Sequence, residues 1–397
     1  MLKKTALVAG LSLCALNAQA QTLEELQSQI DILAQEIESL KTNTSGGSAL
    51  DNIHIGGYGE LHYNNYLDSD TRYNDVTDSG HDDQIDAHRF VLYFGYDFTD
   101  TVRFVSEFEL EHSLAGDGKP GEVELEQAYI EVDTSENTKV KAGLFLVPVG
   151  LMNETHEPDT FYGVERNLLE NKIIPTTWWE TGAMFSQNVG AGLSYDIAAH
   201  SGLDMLTYDN GTTTFGVNSI RSGRKKSAEA PANKGAVTGR VRYSGVPGLD
   251  LGVSMQYQQD VFQASPTISS VSATLVEAHA VYSIAQATFT VMQATWNFDD
   301  AIADVSGSKA ATKQDGFLAE ASYRFNPHVG VFTRYTAYDN GAGDSVDSEV
   351  QAKTVGVNYW IVPRVVVKAD YNDISYDASG KDDGADDTVS LGLGWSF

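Results

Sequence analysis

From residue 53 onward, apolar and polar positions alternate with a period of two. In RFVLYFGYDF, Phe90, Leu92, Phe94, Tyr96 and Phe98 share one face, while Arg89 and Asp97 lie on the other. LDLGVSMQYQ repeats the pattern with Leu249, Leu251, Val253, Met255 and Tyr257 against Asp250 and Gln256. GFLAEASYRF sets Phe317, Ala319, Ala321, Tyr323 and Phe325 against Glu320 and Arg324. Successive side chains of a strand point to opposite faces, so each stretch predicts a β-strand with one apolar and one polar face. The polar faces carry too much charge for a sandwich core, but they suit a water-filled lumen. The last stretch, TVSLGLGWSF, alternates Val389, Leu391, Leu393, Trp395 and Phe397 with small residues. A strand ending there needs a partner, because an open sheet edge pairs with other chains.

The connections alternate between two kinds. Short turns are expected at 99–101, 134–138, 188–190, 245–248, 284–285, 326–327 and 362–363. Long loops are expected at 68–85, 115–121, 148–180, 200–233, 261–271, 298–313, 340–349 and 377–386. Short turns at one end and long loops at the other is the topology of an outer-membrane barrel. With both chain ends on the short-turn side, the strand number must be even. The segment 203–220 is therefore assigned to the long 200–233 loop, with room for a small hairpin. Sixteen strands remain, at about 53–67, 86–98, 102–114, 122–133, 138–147, 181–188, 190–199, 234–244, 249–260, 272–283, 286–297, 314–325, 328–339, 350–361, 364–376 and 387–397. That number is in the range that leaves an aqueous channel, and pairing of the last strand with the first removes the edge.

The first 52 residues follow other rules. MLKKTALVAGLSLCALNAQA combines Lys3 and Lys4 with a short apolar run and closes on Ala18-Gln19-Ala20, so 1–20 predicts a signal peptide. Cys14, the only cysteine, lies inside it, which leaves the exported chain without disulfides or thiol chemistry. In 21–42, Leu23, Leu26, Ile30, Leu33, Ile37 and Leu40 recur at spacings of three and four, a heptad seam for a coiled-coil helix. Residues 43–52, rich in Gly, Ser, Thr and Asn, read as a linker before the 53–397 barrel.

Charge narrows the partners. The chain has 26 Lys and Arg against 55 Asp and Glu. Loss of Lys3 and Lys4 leaves 24 basic residues and a net charge of −31, which argues against nucleic acid. Mean hydropathy is −0.25, as expected when strands hide their apolar residues from a sliding window. No GxSxG, HExxH or P-loop is present, so neither catalysis nor a cofactor is expected. The nine His are scattered, and by spacing only His54 and His62 share a strand face, so no metal site is expected.

The candidate chemistry is charge on the lumen side. Inward cations are expected at Arg89, Arg103, Lys139, Lys141, Arg240, Arg242, Arg324, Arg334 and Lys368. Inward acids are expected at Glu60, Glu107, Glu109, Glu111, Glu124, Glu126, Glu277 and Glu320. The pairs Lys139/Lys141 and Arg240/Arg242 either line an anion path or offset the glutamate ladders beside them. The 148–180 loop, with Phe161, Tyr162, Trp178 and Trp179, is too apolar for open water. Folded into the lumen it would narrow the pore and bring Glu154, Arg166 and Lys172 to the constriction. RSGRKK places Arg221, Arg224, Lys225 and Lys226 at the mouth, where they would gather anions or meet lipopolysaccharide phosphates.

DAHRFVLYFGYDFTDTVRFVSEFELEH, VELEQAYIEV, GRVRYSGVPGLDLGVSMQYQQ and above all VKAGLFLVPVGLMNETHEPDTFYGVERNLLENKIIPTTWWETG resemble the phosphate-selective porin O/P family. The resemblance implies a Gram-negative outer-membrane porin, all-β, a trimer of sixteen-stranded barrels with the third loop inside the pore. It implies passive diffusion of small hydrophilic solutes, with phosphate or small carboxylates favoured. Its partners would be the lipid bilayer, lipopolysaccharide and, during biogenesis, a barrel-assembly machinery that reads the terminal Phe397. The family's phosphate-selective members carry an arginine ladder and a dense lysine ring. Here inward cations alternate with Glu, and only 221–226 is dense. An adhesive or structural barrel with a plugged pore is the competing expectation.

Overall fold

A computed structural model describes residues 51–67, 83–116, 118–209, 212–214, 220–221, 223–265, 269–303, 310–342, 349–376 and 387–397. The expected signal peptide and coiled coil lie outside these residues. Sixteen antiparallel strands form one closed barrel. They are β1 (Ile53–Tyr66), β2 (Gln84–Thr99), β3 (Val102–Glu111), β4 (Val123–Ser135), β5 (Thr138–Leu146), β6 (Trp179–Gly190) and β7 (Leu193–His200). After a small separate hairpin, β8 (Thr207–Asp209) with β9 (Thr212–Thr214), come β10 (Ala236–Tyr243), β11 (Leu249–Gln258), β12 (Ala273–Ile284) and β13 (Ala287–Ala303). The circuit ends with β14 (Ala310–Arg324), β15 (Val329–Asp339), β16 (Val350–Val362), β17 (Val365–Tyr376) and β18 (Thr388–Ser396). The hairpin stands apart from the barrel, and β7 pairs directly with β10. The parity argument therefore places the strands correctly.

Closure runs through β1 and β18, in register from Tyr58↔Ser396 to Tyr66↔Thr388. Beyond β18, the Phe397 N–H donates to Gly57 O at 2.9 Å, and the Gly57 N–H donates to Phe397 O at 3.1 Å. The seam thus leaves no open edge between the first and last strands, which is what strands in hydrocarbon require.

One expectation changes. The segment 298–313 is not mainly loop: β13 and β14 continue to Ala303 and from Ala310, with Ile302↔Ala311 and Ala303↔Ala310 still paired. A register shift between Asn297 and Ile302 separates this outer hairpin from the inner ladder.

The outer surface is apolar. Phe90, Leu92, Phe94 and Phe98 on β2 are exposed, as are Leu251, Val253, Met255 and Tyr257 on β11 and Val355, Val357, Tyr359 and Ile361 on β16. A belt of this kind is stable only against lipid. The inward positions of the same strands carry Arg89 and Tyr93, Ser254 and Gln256, and Thr354 and Asn358.

Candidate pore and its inward segment

β5 runs into Val147, and the chain then turns away from the wall before returning as β6 at Trp179. Asn153 clasps the two ends of this excursion. Its Nδ2 donates to Val147 O at 2.7 Å and to Trp178 O at 2.9 Å, and its Oδ1 accepts the Trp178 N–H at 2.7 Å. Within the excursion lies a single helical turn, α1 (Leu169–Lys172). The buried Glu170 carboxylate accepts the Leu151 and Met152 N–H groups, both at 2.7 Å, and the Asn167 amide at 3.0 Å. Burial pushes its pKa up against these hydrogen bonds. Leu169, Ile173, Ile174 and Trp178 are fully buried, in one cluster with Leu203, Met205, Val261, Leu275, Met292, Trp296 and Leu318. The apolar residues of the loop thus leave water, as the sequence demanded, by packing on segments from the later half of the barrel.

The rest of the segment is hydrogen-bonded to inward-facing side chains around the wall. Arg89 donates to His156 O at 2.9 Å, Asn358 to Phe161 O at 3.1 Å, Arg334 to Tyr162 O at 2.7 Å and Lys368 to Gly163 O at 2.8 Å. The Val164 N–H donates to Asp370 at 2.6 Å, and Ser396 donates to Asp159 at 2.9 Å. The small inward face of β18 now has a reason. A β-carbon added at Gly392 would stand 3.1 Å from the Val164 side chain, and one at Gly394 would stand 2.5 Å from Pro158. These glycines are the seat of the segment.

The nine expected inward cations divide into three groups. Arg89, Arg334 and Lys368 are buried and anchor segment carbonyls; Arg89 also meets Glu60 at 2.5 Å, and Arg334 meets Glu320 at 2.7 Å. Arg103, Lys139, Lys141 and Arg240 form a second group beside β5. Arg103 pairs with Glu131 and Asp133. Lys139 lies 3.0 Å from Glu131, and Lys141 lies 3.9 Å from Glu154. Arg240 joins Glu154 to Asp196, 2.7 Å from the latter. Four cations thus face four carboxylates. Arg242 and Arg324 lie near the short-turn end. Arg242 meets Asp250 at 2.6 Å, and Arg324 stacks 4.0 Å over Trp360 and donates to Pro327 O.

The expected constriction residues have different places. Glu154 lies in the β5 cluster, and Trp178 and Trp179 are buried. Lys172 is exposed at the end of α1. Arg166 makes no salt bridge among the described residues, and with Asn64, Glu165 and Thr354 it lines a cavity of about 250 Å³.

RSGRKK docks onto the same segment. Arg221 donates to Thr176 O at 2.5 Å, Arg224 to Pro175 O and Thr177 O, and Lys225 to Leu206 O at 2.7 Å. Among the described residues, Lys226 alone of these four forms salt bridges, with Glu122 and Glu124. Burial, followed by the neighbouring Arg221 charge, lowers the Arg224 pKa to about 9, which leaves it protonated at neutral pH.

Sequence spacing misjudged the histidines. His54 pairs with Asp97 at 2.7 Å near the short turns, while His62 lies 3.0 Å from Glu165 and stacks on His88 at 4.4 Å. His88 in turn stands edge-on to His112. These three come from different strands or strand ends, so only cross-strand register brings them together.

Comparison with known proteins fits this architecture. A family model described as phosphate-selective porin O and P matches residues 58–397. An uncharacterized protein of Aquifex aeolicus (strain VF5) is 29% identical over 386 residues, covering 87% of this chain and 80% of the relative. The outer membrane channel DcaP of Acinetobacter baumannii superposes with a TM-score of 0.58 at 14% identity, covering 87% of this chain and 97% of that one. OmpT of Vibrio cholerae, in a trimer form, gives 0.54 at 11% identity, covering 87% and 99%. At these identities the two solved structures share the fold.

Proposed function

The chain belongs to the phosphate-selective porin O and P family, and from that premise we propose passive diffusion of small hydrophilic solutes through a lumen narrowed by residues 147–178, with a mild preference for anions. Family and fold are those of an outer-membrane porin. The observation that carries the finer reading is how the charges are partnered. The β5 cluster is balanced, four against four. Arg221, Arg224 and Lys225 donate to backbone carbonyls and form no salt bridge among the described residues. With Arg166 they set four cations close to the segment, facing the glutamates of β3 and β4. Low-dielectric walls around a narrow aqueous section focus such a field. Phosphate and small carboxylates are the solutes this suits. An arginine ladder is not part of the reading, because Arg89 and Arg334 are taken up by Glu60, Glu320 and segment carbonyls. The proposed assembly is a homotrimer in the outer membrane, in contact with lipid and lipopolysaccharide.

Lys139→Glu with Lys141→Glu tests this. The double change turns a balanced cluster into one with two cations and six carboxylates. The zero-current potential under a salt gradient should swing toward cations, by an amount that shrinks as ionic strength rises. Arg166→Glu should move it in the same direction by less. An unaltered potential in the double variant, with the barrel shown to be folded by its heat-modifiable mobility, refutes the placement of this cluster on the ion path.

A further inference from the structure

We propose that Asp86, His88 and His112 form a binding site for a divalent transition metal, of which Zn²⁺ is the natural probe, at the long-loop end of β1 to β3. The Nδ1 atoms of His88 and His112 lie 3.1 and 2.8 Å from the same Asp86 oxygen, Oδ2. The two rings meet edge-on, with centroids 5.6 Å apart. Ligand atoms around a tetrahedral zinc, each about 2.0–2.2 Å from the ion, stand about 3.4 Å from one another. Both His–Asp separations are close to that spacing, and all three ligand atoms lie within 4.8 Å of one another, so an ion would replace the protons between them.

Three further features favour a site over a chance hydrogen-bonded trio. His112 adopts a left-handed backbone, φ 50°, and Ser113 after it has φ 54°. In this uncommon conformation the His112 N–H donates to His88 O at 3.1 Å, which holds the two residues side by side. His62 stacks on His88 at 4.4 Å and 15°, and is itself held between Glu60 at 3.2 Å and Glu165 at 3.0 Å. That arrangement orients the His88 ring as second-layer groups orient metal ligands. Finally, the side chains of Asp86, His88 and His112 remain 27, 32 and 34% exposed. His88 and His112 line a cavity of about 330 Å³, so an ion can enter and keep water in its fourth position. Imidazole donors select zinc, copper or nickel over magnesium and calcium, which prefer all-oxygen shells. Because Glu165 belongs to the inward segment, a bound ion would stiffen the corner where β1 and β2 meet it.

The test is equilibrium Zn²⁺ titration of the untagged, folded protein in detergent, a readout that does not require the channel to conduct. The wild type should bind one Zn²⁺ per chain about tenfold or more tightly than His88→Ala, and excess Mg²⁺ should not displace it. His112→Gln, a milder change at the strand end, should weaken binding comparably, and His54→Ala at the opposite end should leave it unchanged. Folding of each variant is checked by heat-modifiable mobility. Equal Zn²⁺ affinity in wild type and in folded His88→Ala or His112→Gln, or displacement by Mg²⁺ at similar concentration, overturns the site, since the acidic loops alone would then account for the binding.

Discussion

Trp178→Ala should leave a barrel that still forms but whose inward segment is loosely seated. Trp178 is fully buried, donates from Nε1 to Glu180 at 3.0 Å, and packs its ring 6.2 Å from Trp296. Removal of a buried indole of this kind costs about 3–5 kcal/mol through lost transfer energy and the cavity left behind. The ladders of the wall do not use this side chain, so the loss should fall on the segment. Single-channel recordings should show a larger and noisier open state than the wild type. A variant with wild-type conductance and noise would mean that the segment is held without its aromatic anchor.

His156 supplies the second large effect. It is buried in the segment, with Nε2 at 3.4 Å from Glu107 and 3.5 Å from Glu126, both of which are fully buried. Burial disfavours its charge, but the two carboxylates outweigh burial and raise its pKa to about 9. A cation removed from such a pocket leaves two acids uncompensated, and breaking a buried pair costs about 3–5 kcal/mol. The pH dependence has a definite sign. The folded-state pKa is above the unfolded one, so the stabilisation is complete below about pH 6.5 and is lost as pH rises through about 9. A shift of that size is worth about 3 kcal/mol. Unfolding of the wild type between pH 6 and 10 should become easier toward the alkaline end, while His156→Gln, less stable throughout, should lack this component. Parallel pH profiles would show that His156 carries no charge in the folded barrel.

Strand positions were legible because a two-sided wall imposes alternation on every strand, and parity then fixed how 203–220 had to be treated. The burial of Trp178 and Trp179 was legible because aromatic loops do not persist in water. The partners of the inward charges were not legible. Arg240 reaches Glu154 across 86 positions, and Lys226 reaches Glu124 across 102. Such pairs depend on the path of the segment, which no local pattern encodes. The glycines of β18 showed in the sequence only as a small face, since the residues they make room for, Val164 and Pro158, come from a distant part of the chain. The His62, His88 and His112 group needed the register of β1 on β2, including the shift between Glu60 and His62, before it existed at all. RSGRKK was expected at the mouth, gathering anions or meeting lipopolysaccharide phosphates, because a run of like charge says nothing about carbonyl acceptors at Pro175, Thr176 and Thr177.

A lumen that conducts and weakly favours anions is tested most directly by the zero-current potential of the wild-type protein in a planar bilayer under a KCl gradient. Steady channel openings are expected, with a potential of the sign for chloride over potassium, modest in dilute salt and smaller as salt rises. A membrane that stays silent despite folded, inserted protein would contradict the open lumen, and a potential of cation sign in dilute salt would show that the glutamates of β3 and β4 outweigh Arg166, Arg221, Arg224 and Lys225.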